Sequence, residues 1–197
     1  MAFEPYNPLL PVTKTHRNLP HWQQAAATYF VTFRLADSLP IQVRLRLREL
    51  RELNAAEAFE WVDGLLDAGA GNTLLTHSPH RLVVESAMRH FDQTRYSLGE
   101  YVIMPNHVHV LIQPFAGYDL TSVLHSWKSY TAHELRAATR ESGPVWQKES
   151  FDRIVRDEAE LHRFTEYVWN NPTKAGLAAD QFTVGRGHAE WATGKVV

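Results

Sequence analysis

The sequence predicts an α+β domain in which an antiparallel sheet carries helices on one face. Three observations lead there. Segments that alternate every second residue are interleaved with segments of helical spacing, in the order β-α-α-ββ-α-β-α. The two central strands are separated only by Pro105-Asn106, a turn that makes them a hairpin. The chain of 197 residues is 44% hydrophobic and 21% charged, the composition of one globular domain.

Residues 1–25 hold Pro5, Pro8, Pro11 and Pro20 with no helical or strand period, and read as an extended arm whose basic stretch is Lys14, His16 and Arg17. A domain over 26–177 follows, then an irregular tail over 178–197. In 28–35, Tyr29, Val31, Phe33 and Leu35 share one face of a strand. Leucines among arginines and glutamates in 44–59 give a surface helix with Arg44, Arg46 and Arg48 solvated, and the glycine-rich 64–72 reads as a loop. Ser78-Pro79 opens a helix to about Phe91. The hairpin spans 101–112, and a helix from Leu120 to about Thr139 is capped by Asp119 or Thr121. A short strand at 151–155 precedes a helix from Glu158 that stops near Pro172.

Composition excludes several classes of function. There is no cysteine, hence no disulfide and no thiolate zinc site, and a reducing cytoplasm is the expected compartment. No apolar run approaches the roughly 20 residues of a membrane span. Twenty basic against 22 acidic side chains, net −2, exclude nucleic-acid binding by bulk charge but not by a local basic groove.

Two stretches carry chemistry. In His107-Val108-His109 the alternation of a strand puts both imidazoles on one face, where they can converge on one ion. The plainer alternative is a half-exposed strand with two histidines, but this pair interrupts a run fit for the core, where unsatisfied polar rings are costly. In the helix after Glu158, Leu161, Phe164 and Val168 form an apolar stripe, with Tyr167 and Asn171 one turn apart at its edge. From spacing alone Tyr167 is a core-edge residue and Asn171 ends the helix; a nucleophile beside a metal ligand is the sharper alternative.

The segments YVIMPNHVHVLIQP (101–114), VWQKESFDRIVRDEAEL (145–161) and FTEYVWNNPTKAGL (164–177) resemble the REP-associated tyrosine transposases. These are single-tyrosine HUH endonucleases related to the transposases of small bacterial insertion sequences. The resemblance covers 78–177 well and 14–36 loosely. It implies a ferredoxin-like or RRM-like HUH fold, Tyr167 as nucleophile, and a divalent ion (Mg²⁺ or Mn²⁺) on His107, His109 and Asn171. It also implies single-stranded or hairpin DNA of REP type as partner, nicked and rejoined through a 5′-phosphotyrosine, in the nucleoid of a bacterial cytoplasm. Monomer and homodimer both remain open.

Tyr130 is the competing nucleophile. Lys14, Arg17 and Trp22 of the arm, with Lys128 and Arg153, are the candidate DNA contacts, a solvated salt bridge being the default for Arg153. Trp22, Trp127, Trp146 and Trp169 are candidate platforms for unpaired bases, core packing being the default for each. Two other functions compete: a metal-dependent phosphoesterase in which water attacks, and a non-catalytic hairpin-binding module.

Overall fold

The computed structural model describes residues 2–16, 20–39, 43, 55–69, 71–140 and 142–191. Arg17, Arg44, Arg46 and Arg48 lie outside them. Five strands form one antiparallel sheet: β3 (Tyr29–Arg34), β4 (Tyr96–Ile103), β5 (His107–Pro114), β6 (Phe151–Ile154) and β7 (Thr183–Arg186), in the spatial order β6-β3-β5-β4-β7. Four helices, α1 (Ala55–Asp67), α2 (Ser78–His90), α3 (Leu120–Thr139) and α4 (Glu158–Lys174), complete the α+β fold among the described residues. No helix there is long and apolar enough to cross a membrane.

Helices cover both faces of the sheet, not the single face expected. Alternation decides which residues meet them. Tyr29, Val31 and Phe33 of β3, with Val108, Val110 and Ile112 of β5, pack under Val84 and Met88 of α2 and Leu120, Val123, Leu124 and Trp127 of α3. The intervening residues Phe30, Val102 and Leu111 face the other way, toward Phe164, Tyr167 and Val168 of α4. Apolar side chains on both faces of the central strands therefore give two cores divided by one sheet.

Four local expectations need correction. The arm is not simply extended: β1 (Thr13–His16) and β2 (Pro20–Gln23) pair as an antiparallel ribbon, and the Tyr6 amide bonds the Val155 carbonyl at 2.8 Å. The segment read as a loop from Gly64 is still helix until Asp67. One interior glycine costs about 1 kcal/mol, which Leu66, buried on the inner side, offsets. The stop comes at Gly69, whose φ of 71° is the left-handed conformation that ends helices. Helix α4 runs through Pro172 to Lys174, because a proline in the last turn forfeits one hydrogen bond without stopping the chain's path. Lastly, the C-terminal tail contributes β7, an edge strand on β4.

Candidate metal centre and tyrosine site

Strand β5 starts immediately after the Pro105-Asn106 turn, with the Met104 amide bonded to the His107 carbonyl at 2.9 Å. His107 lies opposite Arg34 and His109 opposite Thr32, in the centre of the sheet on the α4 face. Both rings are 0% exposed. Asn106 donates through Nδ2 to the Leu66 carbonyl (3.1 Å), so its Oδ1 accepts from His107 Nδ1 (2.6 Å). His109 Nδ1 pairs with Thr32 Oγ1 at 2.7 Å. With Nδ1 engaged in each ring, the two Nε2 atoms face one another at 2.9 Å. Burial, then the neighbouring His109, pushes His107 well below the ordinary histidine pKa, so its Nε2 presents a lone pair at neutral pH.

A third donor comes from between the surface helix expected over 44–59 and the loop expected from Gly64, a stretch to which the sequence assigned no role. Asp63, on the inner side of α1 and 3% exposed, lies 3.3 Å through Oδ1 from His109 Nε2. One ligand atom from each of Asp63, His107 and His109 fits within 4.8 Å. Neighbouring ligands on a divalent ion with bonds near 2.1 Å stand about 3 Å apart, close to the 2.9 Å between the two Nε2 atoms and the 3.3 Å from His109 to Asp63. The residues fit a divalent cation: the facing lone pairs call for positive charge, and each imidazole has the outer hydrogen bond that usually orients a metal ligand. Asp63 and Asp67 share a face at i, i+4 with Leu66, a signal visible once the helix is carried through Gly64.

Helix α4 brings up the phenol. Its N-cap Asp157 accepts from the Glu160 amide at 2.7 Å, and its apolar stripe docks on the sheet. Phe164 stacks on Phe30 with centroids 4.2 Å apart, which fixes the helix one turn before Tyr167. The Tyr167 ring then stands edge-on to His109, centroids 5.1 Å apart. Burial first, then the charge of Asp63 and the hydrogen bond to its carboxylate, raise the Tyr167 pKa far above the ordinary phenol value, with Asn171 acting in the opposite sense. Burial works to raise Asp63, but its contacts with His109 and Tyr167 prevail and hold it well below the usual carboxylate range. Asn171, 1% exposed, has its carboxamide buried beside the Tyr167 phenol, and its backbone carbonyl accepts from the Ala175 amide at 3.0 Å. Lys174, one turn further along, reaches back with Nζ 3.3 Å from Asp63 Oδ2 and 2.9 Å from Asp67 Oδ2.

The remaining candidates are distributed differently. Tyr130, 54% exposed, sits on α3 across the sheet from the histidines. Lys128 is on that far side too, donating to the Gln147 carbonyl at 3.2 Å at the floor of a cleft. Arg153 is held by Glu160 at 2.5 Å. Trp127 and Trp146 are core residues whose ring nitrogens bond Tyr96 and Thr131. Trp22, 43% exposed on the ribbon, carries the Lys14 ammonium 4.0 Å above its ring centroid.

The model of the family described as "Transposase IS200 like" matches residues 73–171. A solved REP-associated tyrosine transposase bound to a REP hairpin has a similar fold, with a TM-score of 0.53 at 16% identity, over 84% of this chain and 76% of that one. No curated protein sequence matches the chain.

Proposed function

The chain belongs to the IS200-like transposases, and we propose that it is a metal-dependent endonuclease and strand transferase acting on single-stranded or hairpin DNA of REP type, with Tyr167 as nucleophile. The observation that carries this reading is the meeting of the Tyr167 ring with His109, 5.1 Å apart, beside two ring nitrogens that face each other at 2.9 Å. The fold shared with a transposase solved on a REP hairpin supports the substrate class.

Imidazole nitrogens with a carboxamide or carboxylate oxygen form a borderline donor set, which suits Mn²⁺ at least as well as Mg²⁺. When bound, the cation supplies Lewis-acid polarisation of a non-bridging phosphate oxygen. His107, His109 and Asn171 are the residues that would hold it, Asp63 being the further donor in reach. Tyr167 Oη forms a bond to phosphorus in line with the 3′ oxygen, the phosphorus–O3′ bond breaks, and the phenol proton is lost as the 3′ oxygen gains one. The product is a 5′-phosphotyrosine and a free 3′-hydroxyl. Because the diester bond is exchanged and not hydrolysed, a 3′-hydroxyl can reverse the step and join strands. Lys14 over Trp22 offers an unpaired nucleotide both a charge for its phosphate and a face for its base.

Incubation with Mn²⁺ and a labelled DNA hairpin bearing a single-stranded foot should give a denaturant-resistant adduct that peptide mapping places on Tyr167. Cleavage without an adduct would instead mean that water attacks, and an adduct on another residue would remove Tyr167 from the role.

A further inference from the structure

We propose that α1 is an autoinhibitory plug: the Asp63 carboxylate occupies the position that a DNA phosphate takes in the site, and DNA must displace the helix to react. The proposal rests on the function given above. It starts from the partners of one carboxylate. Asp63 meets an imidazole nitrogen of His109 at 3.3 Å, pairs with the Lys174 ammonium at 3.3 Å, and acts through its charge on the Tyr167 phenol. A metal-ligating ring, the attacking hydroxyl and a cation are the set of groups that a phosphodiester undergoing attack by a tyrosine requires. A carboxylate offers the same single negative charge and the same paired oxygens as a diester, so it satisfies that set when no DNA is bound.

Access points the same way. His107 and His109 are fully buried, and Asn171 and Asp63 nearly so. Asp63 of α1 stands 3.3 Å from His109 Nε2, in the space beside these nitrogens that a phosphate would have to enter.

The way α1 is held suits a part that leaves. Among its described side chains, Asp63, Leu66 and Asp67 lie against the body of the protein, and two of these three are carboxylates. Burying carboxylates is unfavourable unless they are partnered. Both find the same partner, Lys174, whose side chain is 56% exposed and therefore open to competition from an incoming phosphate. Lys174 can therefore exchange a carboxylate for an incoming phosphate without losing an anionic partner.

Two measurements on the full chain test this, both in EDTA so that no metal role contributes. The first is the affinity of a fluorescein-labelled DNA hairpin with a single-stranded foot, read by anisotropy. If the closed form holds about nine molecules in ten, Asp63→Asn should bind about tenfold more tightly than wild type. Unchanged hairpin affinity overturns the plug, and it does so in favour of a resident metal ligand if Mn²⁺ binding, measured separately, falls instead. The second needs no variant: saturating wild-type protein with the same hairpin should accelerate amide hydrogen exchange across residues 55–67, and unchanged or slowed exchange there overturns the proposal. Binding of the hairpin by neither protein is the separate failure that removes the DNA function and the plug with it. Absence of a covalent adduct, with the affinity shift intact, removes only the catalytic reading.

Discussion

Thr32 and Asn106 decide how the two histidines present themselves, since each takes up an Nδ1 and so directs the matching Nε2 toward its neighbour. Outer hydrogen bonds of this kind are typically worth about 10–100-fold in metal affinity. Thr32→Val, which keeps the shape of a strand residue and removes only the hydroxyl, should therefore lower Mn²⁺ affinity by about tenfold or more in calorimetry, without loss of the fold. Equal affinity would show that His109 is oriented by the sheet alone. At Tyr167, substitution by Phe removes one hydroxyl while keeping the ring against Phe30 and His109. The adduct should disappear and hairpin affinity should stay within about twofold of wild type, the loss of one hydrogen bond being small next to the many contacts of a hairpin. An active Tyr167→Phe protein would transfer the nucleophile elsewhere.

At the scale of elements, the sheet sorts the two tyrosines that sequence spacing left in competition. Tyr167 rides on the helix packed over Phe30, Val102 and Leu111, whereas Tyr130 rides on α3 over Val31, Val108 and Val110. Helix α3 also carries a buried cation: burial, then the charge of Arg34, pushes Lys128 down to about 8. The unfolded chain keeps that lysine protonated until about pH 10.4, so between those values the unfolded state binds more protons and stability rises with pH. Wild type should gain about 2 kcal/mol from this group between pH 7 and pH 10, and Lys128→Met should lack the gain. Urea melts at the two pH values check it, and a parallel rise in the variant would assign the effect to another group. The elements themselves were unevenly legible. The hairpin at 101–112 and the helices from Ser78 and Leu120 follow from period and turn residues, because their burial pattern is local. Helix α1 past Gly64 and strand β7 do not, because Leu66 and the half-buried 183–186 gain their reason to be ordered only from elements far away in the chain.

At the scale of the molecule, a net charge of −2 leaves DNA binding to a few placed cations. If Lys14, Lys174 and Arg153 each contact one phosphate, log affinity against log salt should have a slope of about −2 to −3 for single strand or duplex. A slope several units steeper would mean a basic surface beyond these residues. The sheet and the helices docked on it bring the two imidazoles and the Tyr167 phenol together without any need for bulk charge.

Alternation alone put both imidazoles of His107 and His109 on one side of a strand, and helical spacing alone put Tyr167 and Asn171 on one side of a helix. Those are properties of neighbours in the chain, decided by backbone geometry that every sequence shares. Which tyrosine stands over the histidines, and that Asp63 and Lys174 close the space between them, depended on how helices dock on a sheet with two faces. That choice is made by the summed packing of residues distant in sequence, and no local period records it.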